Sequence, residues 1–129
     1  MQIFNIVILA LSGLLIFTFA GILRLTNPIK NYLKNSGIKL ENDVNLLSEA
    51  RGMSAVMMFG GITILLGTFI SGMRIVSFSV AILLFLGYAI GRSISFAVDG
   101  KPNKQLIQGL FTEIILGAIN IFCLVTFLT

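Results

Sequence analysis

The hydrophobic positions of the chain fall into four long apolar stretches, separated by shorter segments that contain most of the charged residues. The stretches cover residues 3–23, 46–70, 75–98 and 106–128. Each is close to the length of about 20 residues that an α-helix needs to cross a bilayer. Two of the three connections are short, and short connections make consecutive helices antiparallel neighbours. The pattern predicts an all-α, integral membrane, antiparallel four-helix bundle.

Turn residues and helix caps give the bounds of the predicted helices. Asn42 and Asp43 are typical of a helix start, so the second helix is expected to begin in water. Residues 71–74 form a tight connection, and residues 99–103 form a turn that contains Gly and Pro. We therefore predict one transmembrane domain over residues 1–129. Its helices are expected at about residues 3–23, 42–71, 74–98 and 104–128.

The connection between residues 24 and 45 is long enough to contain structure of its own. Asn27 followed by Pro28 is typical of a helix start, and Gly37 is a suitable stop. Three apolar residues recur between them at helical spacing, with two lysines beside them: Ile29, Tyr32, Leu33, Lys30 and Lys34. The pattern fits equally well a short amphipathic helix on the membrane surface and a polar loop that contains aliphatic residues.

The first stretch could also be interpreted as a cleaved signal peptide, because the segment at residues 18–20 resembles a cleavage site. No Lys or Arg precedes the apolar run, and the run is long for a signal core. We therefore expect a retained membrane helix.

The composition favours a bilayer as the solvent for this fold. Of the 129 residues, 57% are hydrophobic and 11% are charged, and the mean hydropathy is +1.02. A soluble domain usually contains about 25% charged residues. A chain of this length cannot bury so much apolar surface in water, so the composition excludes an ordinary water-soluble domain.

The basic residues are distributed unevenly between the connections. Eight lie in or beside the first and third connections: Arg24, Lys30, Lys34, Lys39, Arg51, Arg92, Lys101 and Lys104. The second connection contains Arg74 alone. By the positive-inside rule, connections 24–45 and 99–103 are expected in the cytoplasm and both termini outside. We assign these charges to membrane lipid headgroups and not to nucleic acid.

Residues that carry common catalytic or metal chemistry are scarce. The chain contains no His and a single cysteine, Cys123, and it lacks nucleotide-binding and zinc-protease motifs. Cys123 lies in an apolar run, where a small packed side chain is expected. We therefore expect no metal site, no cofactor and no enzymatic activity.

Charged residues inside the third and fourth stretches need partners, because an intramembrane charge is costly. Four polar residues of the third stretch fall on one helical stripe, as their spacing of four, three and four residues requires: Tyr88, Arg92, Ser95 and Asp99. On the fourth stretch, Glu113 lies at a depth similar to that of Arg92, counted from the turn between them. The spacing predicts an ion pair between Arg92 and Glu113.

Two further acids are predicted to approach Arg92 from the cytoplasmic side. Glu49 enters the membrane from that side, near the level of Asp99. With five donors and a long reach, Arg92 is expected to bridge Glu113 on one side and Glu49 or Asp99 on the other. Arg51 points away from the face of Glu49. It either extends to the headgroups, which we favour, or faces another helix.

Small residues are expected to form a helix-packing groove, with one glycine-lined face on the second helix and a line of small residues on the third. The groove contains five glycines at helical spacings: Gly52, Gly60, Gly67, Gly87 and Gly91. Small residues let neighbouring helices approach closely, so we predict a helix-packing groove. The same faces suit a second copy of the chain or the helix of another membrane protein.

At these residues the chain resembles the domain-of-unknown-function family four-three-four-five, whose members are short four-helix bacterial membrane proteins. The matching pieces are Pro28, Ser48-Glu49-Ala50-Arg51-Gly52, Gly91-Arg92 with Ser95, Asp99-Gly100-Lys101-Pro102 and Glu113. The resemblance covers nearly the whole chain. It implies a four-helix fold in the bacterial inner membrane and no established activity. The family often has an aromatic residue and a glycine pair where this chain has Met53-Ser54-Ala55.

Several functions are compatible with the polar cluster in the cytoplasmic half. We favour a structural or interaction role, in which the ion network fixes the register of the helices. A second hypothesis is a pocket for a lipid or amphiphilic metabolite, with an apolar tail in the glycine groove and an anionic head on Arg92 or Arg51.

Glu113 takes a direct part in a third and a fourth hypothesis. In a small proton-coupled transporter or channel subunit, Glu113 is the coupling carboxylate. In an enzyme, the carboxylates and Arg92 support acid–base chemistry, although no motif defines a substrate. The charged candidates all lie in the cytoplasmic half, which predicts a pocket with one opening and disfavours a continuous ion path.

Overall fold

Residues 2–129, which the computed structural model describes, form five α-helices. They are α1 (Gln2–Thr26), α2 (Pro28–Ser36), α3 (Val44–Phe69), α4 (Arg74–Asp99) and α5 (Lys104–Leu128). A short 3₁₀ turn, Ser71–Met73, joins α3 to α4. This part of the chain contains no strand, so the fold class is all-α, as the sequence predicts.

Four of these helices, α1, α3, α4 and α5, are long and apolar enough to cross a membrane. The most apolar parts of the four spans have mean hydropathies from 1.7 to 2.7. The prediction of four long apolar helices is therefore confirmed. The first of them is longer than predicted, since α1 continues to Thr26, next to the Asn27-Pro28 break.

The helices are apolar outside and partly polar inside, which is the distribution expected for a protein surrounded by lipid. Large apolar side chains such as Phe59 and Leu83 are 63% and 69% exposed on the outer surface. Ser12 and Asn120 are completely buried, and the Asn120 side-chain amide donates to Ser12 Oγ at 3.1 Å. Polar groups pair with one another in the interior because the lipid offers them no partner.

The first helix changes its winding before it reaches the first connection. Residues Gln2–Leu15 are α-helical, Ile16–Ile22 form a π-helical segment, and Leu23–Thr26 return to α-helix. A π-helix has more residues per turn than an α-helix. The side chains after Ile22 therefore point in directions that a regular α-helical count from the N-terminus does not give.

The close contact between α1 and α3 depends on a glycine. A Cβ added at Gly61 would lie 2.6 Å from the backbone nitrogen of Phe17, so no larger residue fits there without a shift of one backbone. This contact sets the π-helical segment of α1 directly against the middle of α3.

The short helix predicted in the first connection is present as α2, and the polar loop considered beside it is wrong. The Asn27 side chain accepts from the backbone N–H of Lys30 at 3.3 Å, which caps the helix start. Gly37 ends the helix with φ of 66°, and its N–H donates to Leu33 O at 3.1 Å. This is the left-handed ending that glycine favours.

The orientation of α2 is set by polar contacts with the rest of the chain. Its buried residues are Pro28, Asn31 and Ser36, whereas the apolar Leu33 is 53% exposed. The Asn103 amide donates to Ser36 O at 2.9 Å. The first and third connections therefore meet at the same end of the bundle, and α2 lies across that end.

Candidate functional site

The centre of the candidate site is the pair formed by Arg92 on α4 and Glu113 on α5. Arg92 Nη1 lies 3.0 Å from Glu113 Oε1, and the side chains are 26% and 14% exposed. The Arg92 guanidinium also lies over the ring of Tyr88, one turn earlier on α4, at 4.9 Å from the ring centroid. The two helices meet here at the depth that the spacing predicts. It is the one ion pair found within residues 2–129.

The two further acids predicted to contact Arg92 do not reach it. Asp99 instead accepts a hydrogen bond of 2.8 Å from Ser95 Oγ, one turn away on its own helix. Glu49 is exposed and makes no ion pair within the described part of the chain. The inward face of α3 belongs to its neighbour Ala50, so Glu49 points outward. The predicted bridge from Arg92 to Glu49 or Asp99 is therefore wrong.

Arg51 is exposed and contacts another helix, which is one of the two orientations considered for it. Its extension to the lipid headgroups stays a prediction. Its Nη1 donates to the backbone oxygen of Leu25 at 2.6 Å. The last carbonyl groups of a helix lack partners within it, and Leu25 lies in the final turn of α1. Arg51 therefore caps the C-terminal end of α1.

The five glycines predicted to form one packing groove divide into two groups. Gly60 and Gly67 pack against α4, where their nearest neighbours are the side chains of Leu84 and Ser77. The remaining three glycines have no described atom within 4 Å of an added Cβ, namely Gly52, Gly87 and Gly91. The Ser71–Met73 turn joins α3 to α4 at one end, and the three open glycines lie towards the opposite end. Within the described part of the chain these three positions are not packed against another helix, and their packing against a second copy or the helix of another protein stays a prediction.

Arg24 is the important site residue that sequence reasoning misses. It lies in the last turn of α1 and is only 8% exposed. Its Nη2 donates to Ser36 Oγ at 2.7 Å, and its guanidinium carbon lies 4.2 Å from the centroid of the Tyr32 ring. It forms no ion pair within residues 2–129. In the sequence, Arg24 appears only as one of the basic residues from which the orientation of the helices in the membrane is predicted. The signal that could identify it is its position before the Asn27-Pro28 break, inside the first helix.

Two buried hydrogen-bond donors of this region lack a partner among the described residues. They are Nε of Arg24 and the side-chain amide nitrogen of Asn35. A buried donor without an acceptor costs about 1–3 kcal/mol, and more when the group is charged. Both residues line the same cavity, although the two nitrogen atoms are themselves buried.

That inner cavity lies between α1, α4 and α5 and has a volume of about 300 Å³. Its polar end is lined by Arg24, Asn35, Arg92 and Glu113. Its deeper walls are apolar and include Leu15, Ile16, Phe19, Met57, Leu84 and Phe85. The cavity therefore joins a charged end to an apolar interior.

Two further cavities meet the inner one at Tyr88 and Arg92, which line all three. The mouth cavity, of about 270 Å³, is lined by Arg24, Tyr32, Ser95 and Pro102, among others, and lies beside the connections. The lateral groove, of about 460 Å³, lies between α3 and α4. Its walls are almost entirely apolar.

The site is electropositive. Arg24 and Arg92 contribute two positive charges, and Glu113 contributes one negative charge, which leaves an excess of one positive charge. In surroundings of low polarity such an excess attracts an anion strongly. Chemically, the arrangement suits the binding of an anionic group at the boundary between polar and apolar walls.

Metal chemistry has no set of ligands here. Within residues 2–129, no three His, Cys, Asp or Glu side chains form a group suited to a metal ion. Cys123 is completely buried in the hydrophobic core, where it packs as a small apolar side chain.

Comparison with known proteins places the chain in a family. No curated protein and no solved structure is detectably similar to it. The family described as Domain of unknown function (DUF4345) matches residues 4–124, a range that contains every residue of the site from Arg24 to Glu113. The chain therefore belongs to this family of unknown function, as its sequence motifs indicate.

Proposed function

We propose that this protein is an integral membrane protein of the bacterial inner membrane that binds an anionic amphiphile between its helices. The observation that carries the proposal is the inner cavity, in which two arginines adjoin apolar walls and one of them, Arg24, forms no ion pair within residues 2–129. The missing counterion of Arg24 favours ligand binding over the purely structural role that the sequence alone favours.

Arg24 supports an anionic partner more strongly than Arg92 does. A buried charge that lacks a counterion carries a desolvation penalty of several kcal/mol. Arg92 has Glu113 as its counterion, whereas the partners of Arg24 among residues 2–129 are a hydroxyl group and an aromatic ring. An anion in the cavity supplies the counterion that Arg24 lacks.

The apolar walls of the inner cavity indicate that the ligand also has an apolar tail. Pockets for small molecules usually have volumes of about 300–1,000 Å³ and mostly apolar walls with a few polar groups that fix orientation. The inner cavity is at the lower end of this range, at about 300 Å³. A ligand with an anionic head and an apolar tail matches both ends of the cavity.

The distribution of charge supports the orientation. The connection end of the bundle carries most of the lysines and arginines, whereas Arg74 is alone at the opposite connection. Under the positive-inside rule the site faces the cytoplasm and both termini lie outside. The proposed ligand, an anionic amphiphile, is then a component of the membrane in which the protein lies.

Native mass spectrometry of the protein in mild detergent tests the proposal. We expect an adduct on the wild-type protein, lost in Arg24→Ala and in Arg92→Ala. Lys39→Ala is the matched control, because it removes a positive charge from the same end at an exposed position outside all three cavities. A bare wild-type protein, or an adduct that survives both arginine substitutions, would refute the proposal.

A structural role for the Arg92–Glu113 pair is a second candidate, favoured by its distance of 3.0 Å across the α4–α5 hairpin. Under this role, Glu113→Gln and Arg92→Leu lower the melting temperature of the purified protein without changing any adduct. Under the binding role, Arg92→Leu removes the adduct from protein that remains folded. The two outcomes are measured on the same samples.

A further inference from the structure

The three cavities of the site have a common junction. Tyr88 and Arg92 line the mouth cavity, the inner cavity and the lateral groove. The mouth cavity is lined by Arg24, Tyr32 and Tyr88, among other residues. The inner cavity and the lateral groove are mainly apolar, and Met57, Leu84, Tyr88 and Arg92 line both of them. A single molecule at the junction can therefore extend one polar group and two apolar groups into separate spaces.

The lateral groove is open because α4 presents glycines at its floor. Gly87 and Gly91 are exposed, and a Cβ at either position would meet no described atom within 4 Å. Met53 and Val56 of α3 and Leu83 of α4 form its walls. At one end the groove reaches Arg92 and Ser95. The lateral groove is thus mainly apolar and ends at the positively charged Arg92.

The net positive charge of the site indicates that the polar head group of the ligand is an anion. Two guanidinium groups against one carboxylate leave one positive charge, which a monoanion neutralises. The two arginines come from different helices and both line the mouth cavity. A phosphate group has several acceptor oxygens and pairs with guanidinium groups through charge-assisted hydrogen bonds. A phosphodiester, which carries a single negative charge, satisfies both requirements.

We infer that the ligand is an anionic phospholipid with two acyl chains. Its phosphodiester lies between Arg24 and Arg92, one chain occupies the inner cavity, and the second chain lies in the lateral groove over Gly87 and Gly91. This inference rests on the proposed function and adds the class of ligand. The occupant of the groove is argued from its continuity with the inner cavity at Tyr88 and Arg92, and from the charge at its end.

The test compares a two-chain lipid with its one-chain form. Phosphatidylglycerol and lyso-phosphatidylglycerol are titrated into delipidated protein, and binding is followed by native mass spectrometry. Gly87→Leu fills the groove with a side chain. We expect it to weaken phosphatidylglycerol binding by about tenfold or more, as for the loss of methylene contacts in an apolar pocket. Binding of the one-chain lipid remains unchanged, which also shows that the variant is folded.

Gly52→Leu is the matched control. Gly52 is also an exposed helical glycine with no described atom near an added Cβ, but it does not line the groove. We expect it to bind both lipids as the wild type does. Gly91→Leu is a second variant on the groove floor and is expected to behave as Gly87→Leu does.

Three results would overturn the inference while leaving the proposed function intact. They are an unchanged affinity of Gly87→Leu and Gly91→Leu for phosphatidylglycerol, an equal loss of both lipids in these variants, and a wild-type preference for the one-chain lipid or for an isoprenyl phosphate. Retention of both lipids by Arg24→Ala and Arg92→Ala would instead overturn the proposed function. Failure of the inferred ligand class and failure of the proposed function are therefore seen in different variants.

Discussion

Two arginines are buried to the same extent at opposite ends of this molecule, but their surroundings differ. Arg74 and Arg24 are each 8% exposed. Arg74 Nε donates to Gly67 O at 3.2 Å, at the end of α3, and the residue lines none of the three cavities. Arg24 leaves its Nε without a partner among the described residues and faces two of the cavities.

The two ends of the bundle differ in the same way. Near the Ser71–Met73 turn, Ser77 Oγ donates to Thr63 O at 2.8 Å, and Gly67 packs against the Ser77 side chain. At the connection end, Gly87 and Gly91 remain open. Burial alone therefore does not identify a functional arginine. The partners of the buried group decide whether it stabilises the fold or remains available to a ligand.

The largest effect expected from this comparison is on binding. Arg24→Met keeps much of the side-chain volume but removes the charge and its donors. Because hydrogen bonds to charged groups contribute about 1.5–3 kcal/mol, we expect phosphatidylglycerol affinity to fall by about ten- to hundredfold. Arg74→Met is expected to lower the melting temperature and leave the affinity unchanged. The comparison fails if both variants lose affinity equally, or if Arg24→Met alone loses stability.

The next effect concerns the ion pair between α4 and α5. Glu113→Gln leaves Arg92 without its carboxylate in a partly exposed site. Breaking a fully buried pair costs about 3–5 kcal/mol, and the partial exposure of this pair reduces the expected loss to about 2–3 kcal/mol. Thermal unfolding in detergent measures the loss. Glu49→Gln is the matched control, since Glu49 is exposed, and an equal loss in both variants would contradict the assignment.

A smaller effect separates the glycines of the two ends. Gly67→Ala places a methyl group against Ser77, so we expect overpacking to destabilise the protein by about 1–3 kcal/mol. Gly87→Ala meets no neighbour, and the higher helix propensity of alanine should stabilise α4 by up to about 1 kcal/mol. Chemical or thermal unfolding of the two variants gives the sign of each change. Destabilisation by Gly87→Ala would show that α3 and α4 are in close contact at this end.

The smallest effect concerns the contacts that hold α2 across the connection end. The Asn103 side chain donates to Ser36 O and caps α5 by accepting from the Leu106 N–H. Asn103→Asp keeps an acceptor for the α5 cap but removes the donor to α2, at a cost of about 1 kcal/mol. We expect faster hydrogen exchange in α2 and unchanged exchange in α5. Unchanged exchange in α2 would mean that additional contacts hold this helix.

The comparison of the two arginines of the site, Arg92 and Arg24, shows where prediction from the sequence stops. Arg92 and Glu113 are identifiable because each lies inside a regular helix, at a depth counted from a common turn. Arg24 follows the π-helical segment Ile16–Ile22, after which a regular count no longer gives the direction of a side chain. Glu49 lies on the helix that the sequence predicts, but the rotation of α3 turns it outward.

The four apolar helices and the common depth of Arg92 and Glu113 are readable from the sequence, which also marks Asn27 and Gly37 as the ends of a possible helix without deciding between helix and loop. These features follow from local rules of length, spacing and turn chemistry. The folded arrangement was needed to show that Arg24 is buried without a counterion among residues 2–129, that Arg51 caps α1, and that Tyr88 and Arg92 line three cavities. Those outcomes depend on the rotation and separation of whole helices, which no local pattern of residues specifies.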